Sequence, residues 1–381
     1  MRHRISPQAL AALLVLLTAA PPALGKDTAL RPSITIEEQY DSNVRFRGDE
    51  ETKDDDFITS ASPRFDFSKK RERYDLEVSY GLEASYYAGN TDLNYIAHQA
   101  NAAFTLDLAE RTRLDLSDRY DYTEDSLQAG DTGILVARTG ITANTASAGV
   151  ARAIGERSEA ALTLRNRVAR YDSPDLVDSR TDSAEASYAY KYEQNGTARF
   201  TYRYTDYKFD TDSDVESHGV SLGIIEDLTP TLSADFSAGV AYTPGLDGDD
   251  YFFTAAAGLE KAYRNSVFSV AYTREVTDPT GLTDEINISD RVSFGIEQTF
   301  SRGLTASLTG GLAKNRTEPN GTVDLNSYDI DLAGGWQARR WMLLGAGLSY
   351  YNQWDGDTFD AGTTRNIVYI NVTFTGNEWR F

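Results

Sequence analysis

Residues 73–86 read Arg-Tyr-Asp-Leu-Glu-Val-Ser-Tyr-Gly-Leu-Glu-Ala-Ser-Tyr. Tyr74, Leu76, Val78, Tyr80, Leu82, Ala84 and Tyr86 share one parity, while Arg73, Asp75, Glu77, Ser79, Gly81, Glu83 and Ser85 share the other. Side chains on an extended strand alternate between its two faces, so this is a strand with one apolar and one polar face. The same period of two recurs elsewhere. Phe57, Thr59, Ala61, Pro63, Phe65 and Phe67 oppose Ser60, Ser62, Arg64, Asp66 and Ser68; Phe200, Tyr202 and Tyr204 oppose Arg199, Thr201 and Arg203; Val292, Phe294 and Ile296 oppose Arg291, Ser293 and Glu297. Helical periodicity is almost absent. The expectation is therefore an all-β chain.

Breaks between these runs come in two alternating kinds. Short turns fall near Lys69–Glu72, Ala109–Glu110, Ala153–Glu156, Glu193–Gly196, Asp227–Pro230, Ala262–Tyr263, Ser301–Gly303 and Ala338–Arg340. Longer polar loops fall near Arg45–Asp56, Ala88–Asp92, Thr123–Ala137, Asp172–Arg180, Asp210–Val215, Pro244–Gly248, Asp278–Glu285, Glu318–Asp324 and Asp355–Gly362. The long loops are acidic and the short turns lean basic. This rhythm predicts a transmembrane up-and-down antiparallel β-barrel of about 18 strands, with about 16 as the alternative if Thr123–Ala137 and the region before Asp227 are misread. Each strand and connection then takes roughly 20 residues, and a tilted membrane strand needs ~9–11 of them. Aromatic clusters at Tyr86–Tyr87, Tyr120–Tyr122, Tyr202–Tyr207 and Tyr350–Tyr351 suit the girdles at the two membrane interfaces. A soluble β-sandwich also alternates, but it lacks this chain-long rhythm. Glu38 and Asp118 fall on the apolar parity, which implies that they lie outside the hydrocarbon zone or that a bulge resets the phase.

Residues 1–25 have the form of an export signal: Arg2 and Arg4, an apolar run from Ala9 to Ala20, and small Ala23 and Gly25 before Lys26. The expected division is a signal peptide over 1–25 and a barrel over 26–381. The chain ends in a strand that carries Trp379 and a terminal Phe381. That ending resembles the assembly signal of Gram-negative outer-membrane proteins, and it implies barrel-assembly machinery as a partner and the outer membrane of a Gram-negative bacterium as the location.

Composition narrows the function. There is no Cys, and only three His, so thiolate metal sites, disulfides and Cys nucleophiles are excluded. A net charge of −21 makes the chain a poor ligand for nucleic acid. No phosphate-cradling Gly motif occurs. His98 and His218 stand in no Ser/Asp motif, so no enzymatic activity and no cofactor are expected. Asp210, Asp212 and Asp214 have the spacing of a calcium loop, but Val215 and Ser221 stand where such a loop needs Gly and Glu, and no metal site is assigned.

The polar parity should face the lumen. Its charged residues are the pore-lining candidates: Glu77, Glu83, Arg113, Arg165, Arg167, Arg199 and Arg203. Arg165, Arg167, Arg199 and Arg203, on the seventh and ninth strands, are the best candidates for a basic wall that guides polar cargo. The competing reading is that they pair across strands with Asp and Glu. The longest loop is modest, which favours an open or narrowly gated lumen.

One stretch carries a resemblance. Tyr40-Asp41-Ser42-Asn43-Val44 resembles the Tyr-Asp-x-Asn-Val/Ile opening of a family of bacterial outer-membrane β-barrel porins associated with exopolysaccharide gene clusters. The resemblance implies a conduit for exopolysaccharide export, acting with a separate periplasmic polysaccharide-export protein in a membrane of lipid and lipopolysaccharide. The rival expectations are a general diffusion porin for small polar solutes and a structural or adhesive barrel.

Overall fold

In the computed structural model the alternation closes on itself. Residues 27–125, 133–211, 213–245, 251–278, 280–356 and 362–380 are described. The first six strands are β1 (Thr28–Asp41), β2 (Asp56–Lys70), β3 (Tyr74–Tyr87), β4 (Tyr95–Ala109), β5 (Thr112–Thr123) and β6 (Ile141–Ala153). Then come β7 (Ser158–Tyr171), β8 (Ser179–Lys191), β9 (Gly196–Phe209), β10 (Asp214–Thr229), β11 (Leu232–Tyr242) and β12 (Tyr251–Ala262). The last six are β13 (Ser266–Thr277), β14 (Ile286–Thr299), β15 (Leu304–Glu318), β16 (Asp324–Arg339), β17 (Met342–Asp355) and β18 (Thr363–Thr375). Each strand pairs antiparallel with its neighbours in sequence, and β18 pairs with β1, with Ser33 opposite Thr375 and Asp41 opposite Ile367. The short segment Trp379–Arg380 extends this seam against Leu30 and Ala29. The result is a closed 18-stranded barrel with no free edge, the condition lipid imposes on a spanning sheet. The expected export signal (1–25) and Phe381 lie outside the described residues.

Register fixes which parity faces where. From Ile36 and Val78 through Leu222, Phe236 and Ile370, the apolar parity forms a continuous outward belt of exposed hydrophobic side chains. A belt of this extent belongs against lipid. Glu38 and Asp118 do face outward, and no bulge resets their strands. Thr59 donates to Glu38, Asn144 donates to Asp118, and the ladder shifts lie instead at Asp107/Ala109, Asp227/Thr229 and Gln337/Arg339, beside short turns. Pro32 and Pro63, the prolines inside strands, sit where ladder donors are missing anyway. Pro63 falls in the gap between the Ala61–Ala84 and Arg64–Gly81 pairs, and Pro32 accepts from Gly376 at 2.8 Å where β18 ends.

The aromatic girdle is only half as expected. Tyr86 is 43% exposed and faces out, but its neighbour Tyr87 is 4% exposed and faces in. Tyr207 and Tyr351 are likewise buried inside. Tyr87 and Tyr207 belong to two clusters at the long-loop end of the lumen. One joins Val44, Ile58, Tyr87, Leu93, Tyr95 and Ala97; the other joins Tyr207, Phe209, Ala241, Phe252, Ile286 and Ile288. The packed core of this protein is thus a cap within one mouth of the barrel.

An even strand number puts both chain ends on the short-turn side, which in such barrels is periplasmic. An epitope inserted between Glu50 and Glu51, in the β1–β2 loop, is expected to bind antibody on intact cells, whereas one in the β2–β3 turn at Glu72 binds only after permeabilisation. Labelling of the Glu72 epitope on intact cells would reverse the orientation.

Candidate functional site

Two long loops fold into the lumen. The first joins β5 to β6. Its Ile134, Leu135 and Val136 are buried, Ile134 to 1% exposure, and they reach β17 on another part of the wall. The Tyr351 hydroxyl donates to the Gly133 carbonyl at 2.7 Å, and the Gln353 amide brackets Leu135, accepting from its N–H at 2.9 Å and donating to its carbonyl at 3.2 Å. On the near side Arg138 donates to the Tyr87 hydroxyl at 2.6 Å and lies over the Tyr87 and Tyr95 rings, 4.8 and 4.9 Å from their centroids. The longest loop, modest in length and expected to leave the lumen open or narrowly gated, thus enters one mouth of it. Length alone was the wrong criterion: a short apolar run, Ile134-Leu135-Val136, is enough to draw a loop inward.

The second loop joins β13 to β14 and crosses towards β7–β10. Asp278 accepts from Arg167 at 2.9 Å, the Gly281 carbonyl accepts from Val177 N–H at 2.8 Å, and Asp284 accepts from Thr211 and Ser213, both at 2.8 Å. Gly281 has φ +84, and a Cβ there would stand 2.6 Å from the Tyr171 ring. Glycine is required on both counts.

A buried ion cluster fastens the first loop to the barrel seam. Arg365 of β18 donates from Nε and Nη2 to Asp41 Oδ2 of β1 at 3.0 and 2.6 Å, and from Nη1 and Nη2 to the Asp125 carboxylate, both at 2.9 Å. Arg365 is 3% exposed and Asp41 0%. This explains the Tyr40–Val44 stretch. Asp41 also caps the Asn43 N–H, Asn43 bonds Arg47 and Thr364, and Val44 enters the core cap. The motif builds the first long loop and the latch beneath it. Asp125 and Arg365 carry no sequence signal comparable to this, because a partner hundreds of residues away leaves no local spacing.

Below the loops the wall is polar and charged. All seven candidates lie on the inward parity, but their circumstances differ. Arg113 pairs with Asp115 at 2.9 Å, Arg203 with Glu185 at 2.6 Å and Arg167 with Asp278 of the second loop. Of these, only Arg203 pairs across strands; Arg113 pairs along its own strand, and Arg167 latches a loop. Arg165 stands opposite Ser147 and Ser183, and Arg199 opposite Ala189 and Gly223, with no carboxylate among those positions. Glu83 accepts from Ser85, and Glu77 lines a cavity of about 530 Å³ with Arg31, Arg64 and Asp66. The inward faces of β5–β9 carry six arginines, Arg113, Arg119, Arg165, Arg167, Arg199 and Arg203, together with four carboxylates, Asp115, Asp121, Glu159 and Glu185, whereas those of β11–β16 carry Asp235, Glu260, Glu275, Glu297, Asp329 and Asp331. Arg291 on the acidic side is tied to Asp329 at 2.9 Å. An arginine-rich arc of mixed charge thus stands across from a predominantly acidic one, which sets a field across the lumen.

His98 and His218 face outward, each hydrogen-bonded through Nδ1 to a tyrosine, Tyr80 at 3.0 Å and Tyr202 at 2.9 Å. Asp212, the middle residue of the calcium-like spacing, lies outside the described residues.

A family model described as "Putative beta-barrel porin 2" matches residues 28–375. The chain belongs to that family. The family's name is that of a pore-forming barrel of the outer-membrane type. Among solved structures, a ferric enterobactin receptor of Pseudomonas aeruginosa is similar at 9% identity, with a TM-score of 0.50 over 93% of this chain and 82% of that one. OccAB4 of Acinetobacter baumannii is similar at 12% identity, with a TM-score of 0.49 over 93% of this chain and all of that one. The first likeness supports the barrel fold and nothing finer. No curated protein sequence matches the chain.

The docking of the second loop is expected to depend on pH. The hydrogen bond from Thr211, then that from Ser213, hold the Asp284 carboxyl below its ordinary value. A depressed folded-state value contributes docking free energy that is complete above the ordinary carboxylate range and lost as pH falls through the folded value. Conductance is therefore expected to be flat from about pH 7 to about pH 5 and to rise only below about pH 4. Asp284→Asn should remove the acid step at this loop. A step near pH 6, unchanged in that variant, would place the control elsewhere.

Proposed function

We propose that this porin is a gated conduit for exopolysaccharide leaving the cell, working with a separate periplasmic polysaccharide-export protein. The observation that carries the reading is a polar lumen, with an arginine-rich arc across from a predominantly acidic one, beneath a mouth spanned by two latched loops. A hydroxyl-rich polymer with anionic groups can be held by arginine forks on one side and by Ser, Thr and Asn along the ladders. Latched loops suit a cargo that arrives from inside, threaded and pushed, better than free diffusion of small solutes. A diffusion porin and an adhesive barrel remain the rivals to be tested.

Deleting the gene should abolish surface polysaccharide while leaving uptake of small polar solutes unchanged; intact secretion would overturn the export reading. Arg165 and Arg199, without carboxylates opposite, should dominate ion preference. Replacing both with Gln is expected to shift the reversal potential towards cation selectivity and to lower secretion of an acidic polymer. Arg203→Gln, which leaves Glu185 unpaired, should shift preference the same way but by less, because its charge is already compensated. Equal shifts from both changes would show that pairing does not screen the lumen.

A further inference from the structure

The outward wall of β7, β8 and β9 changes character near the long loops. Across the β8–β9 pair, Arg180 stands directly opposite Lys208, and one step nearer the membrane centre Asp182 stands directly opposite Asp206. Like charges facing each other across an antiparallel pair are destabilising. Each cation is paired along its own strand, Arg180 with Asp182 at 2.9 Å and Lys208 with Asp206 at 2.7 Å, and Asp182 also accepts from Asn166 of β7 at 2.6 Å. The exposed Arg170 of β7 adds a third cation, one step along from Val168, which faces Arg180. A chain with a net charge of −21 thus presents a row of cations on its lipid side.

Immediately below that row the wall is concave. A groove of about 490 Å³ is lined by Ala146, Ala148, Leu164, Ala184 and Tyr204, with Asn166, Asp182 and Asp206 at its upper end. The alanines leave a trough between the larger Leu164 and Tyr204. On β11 and β12, by contrast, the outward residues Val240, Tyr251 and Phe253 stay apolar and exposed up to the long loop between those strands.

We propose that this strip binds a phosphorylated, acylated glycolipid of the outer leaflet, with phosphate on Arg170, Arg180 and Lys208 and an acyl chain in the groove. The inference rests on the barrel lying in the outer membrane with its long loops outside, which puts the cations at headgroup level and the groove in the acyl zone. Arginine forks and lysine fit phosphate, and the adjoining carboxylates hold those side chains in place and complete the alternation of charge. A free anion would use the cations but not the groove.

The test uses the full chain refolded in detergent and titrated with bis-phosphorylated lipid A, with its dephosphorylated form, and with inorganic phosphate. Lipid A is expected to bind the wild type about tenfold or more tightly than the variant R170Q/R180Q/K208Q. Ala184→Trp, which fills the trough without touching charge, should also weaken lipid A binding. The dephosphorylated lipid and free phosphate should both bind weakly. Heat-modifiable migration checks that each variant is folded. Equal lipid A affinity in wild type and both variants would overturn the site. Self-association abolished by the same changes, with no lipid A binding, would assign the strip to a second copy and overturn it too. Single-channel conductance of the same preparations reports on the pore independently, so loss of the site and loss of the pore reading are separable.

Discussion

Arg365→Gln is expected to loosen both the barrel seam and the mouth. The guanidinium is shared by Asp41 on the first strand and Asp125 in the first infolded loop, and it is 3% exposed. Removing it takes the shared guanidinium from two neighbouring carboxylates. Breaking a buried pair from one side costs about 3–5 kcal/mol, because the remaining charge stays desolvated. Two readouts should follow. The midpoint of heat-modifiable migration should fall, since β1 and β18 lose a contact that holds the closure. Channel openings should lengthen, since the loop loses its anchor. Asp125→Asn separates the two effects. It frees the loop but leaves Arg365 on Asp41, so openings should lengthen while the midpoint changes little. If Arg365→Gln lowers neither the midpoint nor the closed-state occupancy, the cluster neither latches the loop nor secures the seam.

Much of this was legible in the sequence, and the exception is instructive. Strand number, turn order and inward or outward parity follow from a period of two and from polar breaks, because both are local properties. Arg165, Arg167, Arg199 and Arg203 share the inward parity, yet they are not equivalent. Whether an inward arginine is compensated depends on the facing strand and on loops from distant parts of the chain, as with Arg167 and Asp278. The cap was readable in principle. Ile58, Tyr87, Tyr95, Tyr207, Phe209 and Phe252 are apolar residues on the polar parity, all at long-loop ends. Reading Tyr87 and Tyr207 as part of an aromatic girdle missed that phase. Apolar residues on the wrong face of a barrel strand mark where something packs inside.

Gly133→Val should open the mouth while sparing the wall. Gly133 lies where the first loop meets the inner surface of β14–β16, at φ +74. A Cβ there would stand 2.9 Å from the Ala313 Cβ, from Arg291 Nη1 and from Ser327 Oγ. Arg291 could swing aside, but it would give up Asp329, and Ala313 has no freedom to move. The left-handed backbone adds a penalty that a β-branched residue feels most. Strain of about 1–3 kcal/mol at one contact shifts a two-state loop by roughly 5- to 150-fold. The strain is confined to the docked state, because the undocked loop can adopt any backbone conformation. The Tyr351 and Gln353 contacts to Gly133 and Leu135 are lost with it. Strand pairing is untouched, so the heat-modifiable midpoint should stay close to wild type while open probability rises. This pattern is the reverse of a seam defect, in which both change together. A Gly133→Val channel that conducts like the wild type would show that the loop is wall lining with no gating role, and that the constriction lies below it among the facing charged arcs.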